Sequence, residues 1–255
     1  MIYPDDFPAK EFMLNAELDS YLRNVERSIE YIHKAFEITS DWYVAWSGGK
    51  DSTALAHLVT RLYPETEIWS EKDDCDFPGE YEYVKMVGEK YNFNLKITFC
   101  DSLWQAIQDQ KIDICEDLHS RGTAFSDQFF YSEVAKQEAR HDGCFLGLRD
   151  QESRGRRLNT YMRSAIYQKK NGKYICNAIH HWSAVDVFSY LVSHEIPILD
   201  VYFKTKFMGH PTKIRKSWML PSHQASQGYC SWLRYYYPEM FEQLKALHPE
   251  VKSYV

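Results

Sequence analysis

Six consecutive residues, Ser47-Gly48-Gly49-Lys50-Asp51-Ser52, combine the backbone freedom and the side chains that a phosphate ligand demands. Two adjacent glycines let the chain turn sharply and approach a ligand with no Cβ in the way, so that successive N–H groups can face phosphate oxygens. The apolar run Trp42-Tyr43-Val44-Ala45-Trp46 precedes them and a helix-period segment beginning at Thr53 follows. The order is therefore strand, glycine turn, helix N-terminus, and a helix N-terminus offers unpaired N–H groups and the positive end of its dipole to an anion. Lys50 adds a mobile positive charge, Ser47 and Ser52 add hydroxyls, and Asp51 could orient those donors or hold a magnesium ion against the phosphates. Val44 stands where a Walker A loop needs glycine, and Gly48 and Gly49 lack the third glycine of a dinucleotide-binding turn.

The elements around this stretch alternate. Lys10 to Ile38 reads as one helix, with Phe12, Leu18, Leu22, Val25, Ile29 and Ile32 near helical spacing, serving packing or a dimer contact. After the glycine turn, Ala54, Leu55, Leu58, Val59 and Leu62 form one apolar helix face, closed by Pro64. Glu67 to Ser70 reads as a second strand, Glu80 to Tyr91 as a helix, and Leu95, Ile97 and Phe99 as a further strand. Strands and helices at this spacing predict an α/β fold, a parallel twisted sheet with right-handed crossovers. Ligands of such sheets bind at the carboxyl ends of the strands, where both the glycine turn and the acidic loop Glu71 to Gly79 fall. Within that loop Asp73, Asp74 and Asp76 are either solvated charges or carboxylates for magnesium, of which Asp74 is the candidate ligand.

Farther on, helical sequence from Phe129 to Arg140 leads into Cys144-Phe145-Leu146-Gly147-Leu148, a short apolar run expected to be a buried central strand. Arg149 emerges at its end. Five arginines lie from Arg149 to Arg163, and the guanidinium fork suits bidentate phosphate or sulfate contact, the alternative being a surface ion-pair face with Asp150 and Glu152. Ser164 to Ile179 reads as a hairpin around Asn171-Gly172, a two-residue turn signal. Ser183, with Asp186 three residues on, opens a helix in which Trp182, Asp186 and Phe188 are architectural. His180, His181 and His194 have no convincing metal partner.

Charge is divided along the chain. Residues 1–143 carry 14 Lys and Arg against 28 Asp and Glu, and residues 144–255 carry 16 against 8. A basic half in an acidic chain fits a polyanion, either a nucleotide or nucleic acid. The segment from Lys204 onward adds Lys206, Lys213, Arg215 and Lys216, then Tyr229, Trp232 and Tyr235 to Tyr237, a basic and aromatic lobe suited to a lid or to stacking. The six cysteines are scattered without a C-x-x-C pair and read as packing residues. Cys230 is the exception, because Gln227 to Trp232 looks like a loop. No apolar run is long enough to span a membrane, and the first residues lack the pattern of a signal peptide, so the expected location is the cytoplasm.

Ser47 to Ser52 resembles the PP-loop of ATP pyrophosphatases, in the branch that contains phosphoadenosine-phosphosulfate (PAPS) reductases and the small subunit of ATP sulfurylase. Gly147, Arg149, Glu152, Ser153 and Arg156 or Arg157 fall on that branch's G-x-R-x-x-E-S-x-x-R segment. Trp182 to Leu191 with His194 to Pro197 is similar to its W-x-x-x-D-V-W-x-Y-I and H-x-I-P pattern, Phe188 replacing the second tryptophan. The resemblance implies an adenine nucleotide alpha hydrolase-like sheet over residues 41–203, between an N-terminal helical segment, 1–40, and the lobe 204–255. It implies ATP and magnesium, with Ser47, Gly48, Gly49, Lys50, Asp51, Ser52, Gly147, Arg149, Arg156 and Arg157 at the nucleotide. Lys50, Asp51, Arg149 and Arg157 would carry the chemistry, and Asp51 and Asp74 the metal.

The implied reaction is attack of an unidentified acceptor on the α-phosphorus of ATP with release of pyrophosphate. One alternative is reduction of a sulfonucleotide to sulfite, for which the branch uses a C-terminal E-C-G-x-H cysteine that this chain lacks, leaving Cys230 as an unorthodox thiol. The other is a nucleotide-binding subunit of a sulfur- or nucleic-acid-modification complex, with a protein partner or a second copy of the chain.

Overall fold

The computed structural model describes residues 3–74, 76–100, 131–216, 228–247 and 249–255. These fall into two compact units. The first comprises Met1–Lys72, Gly79–Thr98 and Val134–Leu199, and the second Asp73–Pro78, Phe99–Glu133 and Asp200–Val255.

The first unit holds a six-stranded sheet among the described residues, in the order β3-β2-β1-β4-β6-β5. Its strands are β1 (Trp42–Ala45), β2 (Glu67–Lys72), β3 (Asn94–Phe99), β4 (Gly143–Leu146), β5 (Ile166–Gln168) and β6 (Tyr174–Cys176). β1 runs parallel to β2 and to β4, and β4 parallel to β6, while β5 returns antiparallel to β6. Trp42, Tyr43 and Val44 are buried without alternation, as expected of a central parallel strand covered on both faces. Ala45 pairs with Leu146 at the ends of β1 and β4. The loops leaving those two strands therefore emerge side by side, although a hundred residues of sequence separate them.

Helices α1 (Ala9–Ala16), α2 (Asp19–Ile38), α3 (Lys50–Leu62), α4 (Glu80–Lys90), α5 (Tyr131–Arg140), α6 (Arg154–Arg163) and α7 (Ala184–Ser193) accompany the strands. The single helix expected over 10–38 is two, because Leu18 is extended (φ −74°, ψ 136°) and breaks the run. The break lets α1 dock on α7: Phe12 stacks on Phe188 at 5.0 Å. Asn15 donates to Asp186 (3.1 Å) and Ser189 (3.0 Å). Leu18 and Leu22, read as serving packing or a dimer contact, are exposed.

Asp186 also closes the predicted cap, accepting from Ser183 N (2.8 Å) while Ser183 Oγ accepts from Asp186 N (3.0 Å). Trp182 and Phe188 are fully buried, as their architectural reading requires. β5 and β6 form the expected hairpin. Its turn has three residues rather than two, with Gly172 at φ +86° and bonds Gly172 N to Lys169 O and Lys169 N to Lys173 O. Only glycine takes that left-handed position cheaply.

The second unit contains α8 (Cys230–Tyr236) and α9 (Pro238–Leu247). Phe77, Trp232 and Tyr237 pack together there, and Trp232 Nε1 donates to Lys204 O at 2.5 Å. Cys230 is not in a loop. It opens α8 and is 1% exposed.

Candidate active site

The anion loop leaves β1 at Trp46, whose N–H donates to Trp69 O (2.8 Å) and whose indole donates to Thr53 Oγ1 (2.9 Å). Both bonds fix the loop's entry. Gly48 takes φ +78°, a conformation costly for any residue with a side chain. Gly49 is the N-cap, and α3 starts at Lys50, three residues before the expected Thr53. Lys50, Asp51 and Ser52 therefore form the first helical turn, where N–H groups have no acceptor within the helix. Ser52 Oγ donates to Gly49 O (3.1 Å) and lies 3.1 Å from Ser47 Oγ, so the two hydroxyls brace the turn from inside.

Asp51 joins this loop to the arginine segment. Its Oδ2 accepts from Lys50 Nζ at 2.7 Å and its Oδ1 from Arg149 Nε at 2.5 Å. Burial opposes its ionisation, but the charges of Lys50 and Arg149, and their hydrogen bonds, outweigh burial and hold the carboxyl below its ordinary 3.8. Arg149 is itself buried, with Nη1 3.4 Å from Trp182 O and its N–H donating to Glu152 Oε2 at 3.0 Å. Gly147 makes this approach possible. A Cβ there would lie 2.8 Å from Ser52 N and 2.9 Å from Ser52 Cα, inside backbone that cannot give.

Glu152 extends the chain of charge to Arg156, whose guanidinium it accepts, and Ser153 caps α6 by accepting from Arg156 N at 3.1 Å. Lys50, Asp51, Arg149, Glu152 and Arg156 thus form one connected series within the first unit. Arg157 points elsewhere on α6, about 100° around the helix from Arg156, and is exposed. Asp74 lies in the turn after β2, in the second unit.

Magnesium finds a poor ligand in Asp51, since each of its oxygens already faces a cation. Among the described residues no group of three His, Cys, Asp or Glu side chains is placed to hold a metal ion.

Two features escaped the sequence reading. Lys72 and Glu80 form a buried ion pair at 2.5 Å. Glu80 packs against the anion loop, because a Cβ on Gly48 would meet Val84 Cγ2 at 3.2 Å and Glu80 Cγ at 3.5 Å. Nothing in an eight-residue spacing across a turn announces such a pair. His180 Nδ1 lies 2.9 Å from Asp150 Oδ2, and Asp150 N donates to His180 O at 2.8 Å. A carboxylate only accepts, so Nδ1 carries the proton. This clasp ties the loop after β4 to the loop after β6 beside Arg149, and the only signal for it was that Asp150 follows Arg149.

A cleft of about 770 Å³ between Phe36, Tyr63, Glu67, Asn94 and His141 opens where the strands begin, at the opposite edge of the sheet from the anion loop.

The family model for the phosphoadenosine phosphosulfate reductase domain matches residues 41–235, which include the whole of this charged series. The chain belongs to that family. Relatives include a sulfate adenylyltransferase subunit 2 of Rhizobium tropici, 24% identical over 74% of this chain and 66% of its own length. An adenosine 5'-phosphosulfate reductase of Halalkalibacterium halodurans is 25% identical over 69% of this chain and 75% of its own. A phosphoadenosine 5'-phosphosulfate reductase of Xanthomonas oryzae is 26% identical over 72% and 73%.

Among solved structures, the PAPS reductase of Candida auris superposes with a TM-score of 0.50 at 13% identity, over 78% of this chain and 90% of its own. FMN adenylyltransferase of Candida glabrata reaches 0.52 at 14% identity, over 76% and 65%. These likenesses establish the PP-loop α/β fold. Among the described residues no helix is long and apolar enough to cross a membrane.

Proposed function

We propose that this chain binds MgATP at the PP-loop and transfers its adenylyl group to an acceptor. The acceptor's nucleophile attacks the α-phosphorus, the bond from that phosphorus to the bridging oxygen breaks, and pyrophosphate departs with the electron pair. The observation that carries this reading is the intact Ser47 to Ser52 turn with Lys50 and Arg149 gathered on Asp51. Two cations pre-positioned on one carboxylate, beside a helix N-terminus, can neutralise a leaving pyrophosphate without reorganising during the reaction. Magnesium arrives with ATP as part of the substrate. Arg156, held through Glu152, would meet the acceptor or the α-phosphate, and Arg157 would be an outer contact.

Sulfonucleotide reduction is the second reading, favoured by the reductases among the relatives. It needs a reachable thiolate. Cys230 is buried at the start of α8, and Cys144 is buried with its thiol pushed up to about 12 by desolvation. Cys75 and Cys115 lie outside the described residues. A relative that is a subunit of a sulfate adenylyltransferase also favours a protein partner for the adenylyl-transfer reading.

Release of pyrophosphate from ATP with sulfate, nucleotide and flavin acceptors is the test. Release that depends on one acceptor and is lost in Lys50→Ala supports the proposal. Sulfite release from a sulfonucleotide with thioredoxin, and no pyrophosphate with any acceptor, replaces it with the reductase reading.

A further inference from the structure

Packing alone does not explain the clasp between Asp150 and His180. His180 is buried, and its Nε2 has no hydrogen bond, so the bond from Nδ1 to Asp150 is the only one its ring makes among the described residues. Asp150 Oδ1 is likewise buried without a partner. Burying polar atoms unpaired is unfavourable, and an apolar side chain would fill the same space without that penalty. What the clasp holds is the chain around Arg149. β4 pairs with β6 as far as Phe145 and with β1 as far as Leu146. From Leu148 to Glu152, Asp150 N to His180 O (2.8 Å) is the one main-chain hydrogen bond to another element among the described residues. Two residues beyond His180, Trp182 O lies 3.4 Å from Arg149 Nη1. That loop is itself anchored on α2, where Ser28 Oγ donates to Ala178 O (2.9 Å) and accepts from Trp182 Nε1 (2.8 Å). One anchored loop therefore holds both the backbone after Arg149 and its guanidinium.

We infer that His180 is a positioning residue for Arg149: acting through Asp150, it fixes where the Arg149 side chain begins, so that the guanidinium reaches Asp51 and the departing pyrophosphate. The inference rests on the adenylyl-transfer reading and adds to it the group that keeps its second cation in place. Arg149 Nε meets Asp51 Oδ1 at 2.5 Å across two loops that leave different strands. A shift of the Arg149 backbone is carried directly to that contact, and misplacement on the scale of about 1 Å can cost about a hundredfold in rate. His180 is no general base, because its Nε2 is enclosed and its ring packs 5.6 Å from that of Tyr31. A group that only keeps a cation aligned for the transition state acts on kcat far more than on KM.

Pyrophosphate-release kinetics and NMR of three variants of the full chain test it. His180→Ala should lower kcat about ten- to a hundredfold while KM for MgATP changes little. His180→Asn places an amide nitrogen where Nδ1 stood and should restore most of kcat, whereas His180→Gln places it one bond farther out and should not. In the nucleotide-free protein the Arg149 Nε–H resonance, identified by its loss in Arg149→Lys, should be sharp and slow to exchange in the native chain and in His180→Asn, and broadened in His180→Ala and His180→Gln. Thermal unfolding checks that each variant folds, and if His180→Ala does not, the Asn and Gln pair carries the comparison. An unchanged kcat, a loss that His180→Asn does not recover, a rise in KM alone, or an Nε–H signal indifferent to His180 overturns the inference. A native chain that releases no pyrophosphate with any acceptor, yet shows the His180-dependent signal, defeats the adenylyl-transfer reading and supports the positioning of Arg149.

Discussion

Replacing Asp51 by Asn should destabilise the free protein and increase its response to ATP. The two side chains have nearly the same volume, so the change isolates charge. Asp51 sits 2.7 Å from Lys50 Nζ and 2.5 Å from Arg149 Nε, its side chain 14% exposed and that of each cation 5%. Removing one member of a buried ionic group leaves uncompensated charge and costs about 3–5 kcal/mol. At about 2–4 °C per kcal/mol for a chain of this size, the melting temperature should fall by about 6–20 °C. MgATP then supplies the negative charge that the two cations have lost, so saturating nucleotide should raise the variant's melting temperature by more than it raises the native protein's. Differential scanning fluorimetry with and without MgATP reads both effects. A nucleotide-free variant within about 2 °C of the native protein, less than 1 kcal/mol, would refute the reasoning, and so would equal nucleotide shifts in the two proteins.

Gly147→Ala should cost about 1–3 kcal/mol through overpacking and weaken ATP binding, because the new methyl meets the backbone of Ser52; urea denaturation and nucleotide titration measure the two losses. Lys72→Met alone should cost about 3–5 kcal/mol by removing the buried cation paired with Glu80, whereas Lys72→Met with Glu80→Leu should recover most of it, as replacing a whole buried pair usually does. His57, with its pKa lowered to about 3 chiefly by burial, resists protonation when folded. The unfolded chain takes up that proton near 6.5, so stability should decline as pH falls from about 6.5 toward 3. His57→Gln should flatten that decline in denaturation curves taken across the range.

The sheet was legible because burial on both faces writes continuous apolar runs, as at Trp42 to Val44 and Cys144 to Leu146, and because turn residues such as Gly172 punctuate them. The anion loop was legible for a similar local reason: its conformation, its donors and its helix are encoded within six adjacent residues. What could not be read is what the topology brings together. Asp51 and Arg149 meet because β1 and β4 pair in register, which no local pattern states. The same holds for Asp150 with His180 and for Glu80 beneath Gly48. Cys230 was misread because Gly228 and Tyr229 look like turn residues, whereas the packing of Trp232 and Tyr237 draws the following segment into a buried helix. The break at Leu18 was hidden for the opposite reason: helical spacing continues through it, and only docking of α1 on α7 sets Leu18 and Leu22 outside.

Isothermal titration of the native chain with MgATP, followed by Lys50→Ala under the same conditions, tests the central claim most directly. The account predicts saturable one-site binding that is lost or weakened at least about a hundredfold in the variant, the scale of a charge-assisted phosphate contact at about 3 kcal/mol. Native protein that gives no heat with MgATP, or a variant that binds it equally well, would contradict it.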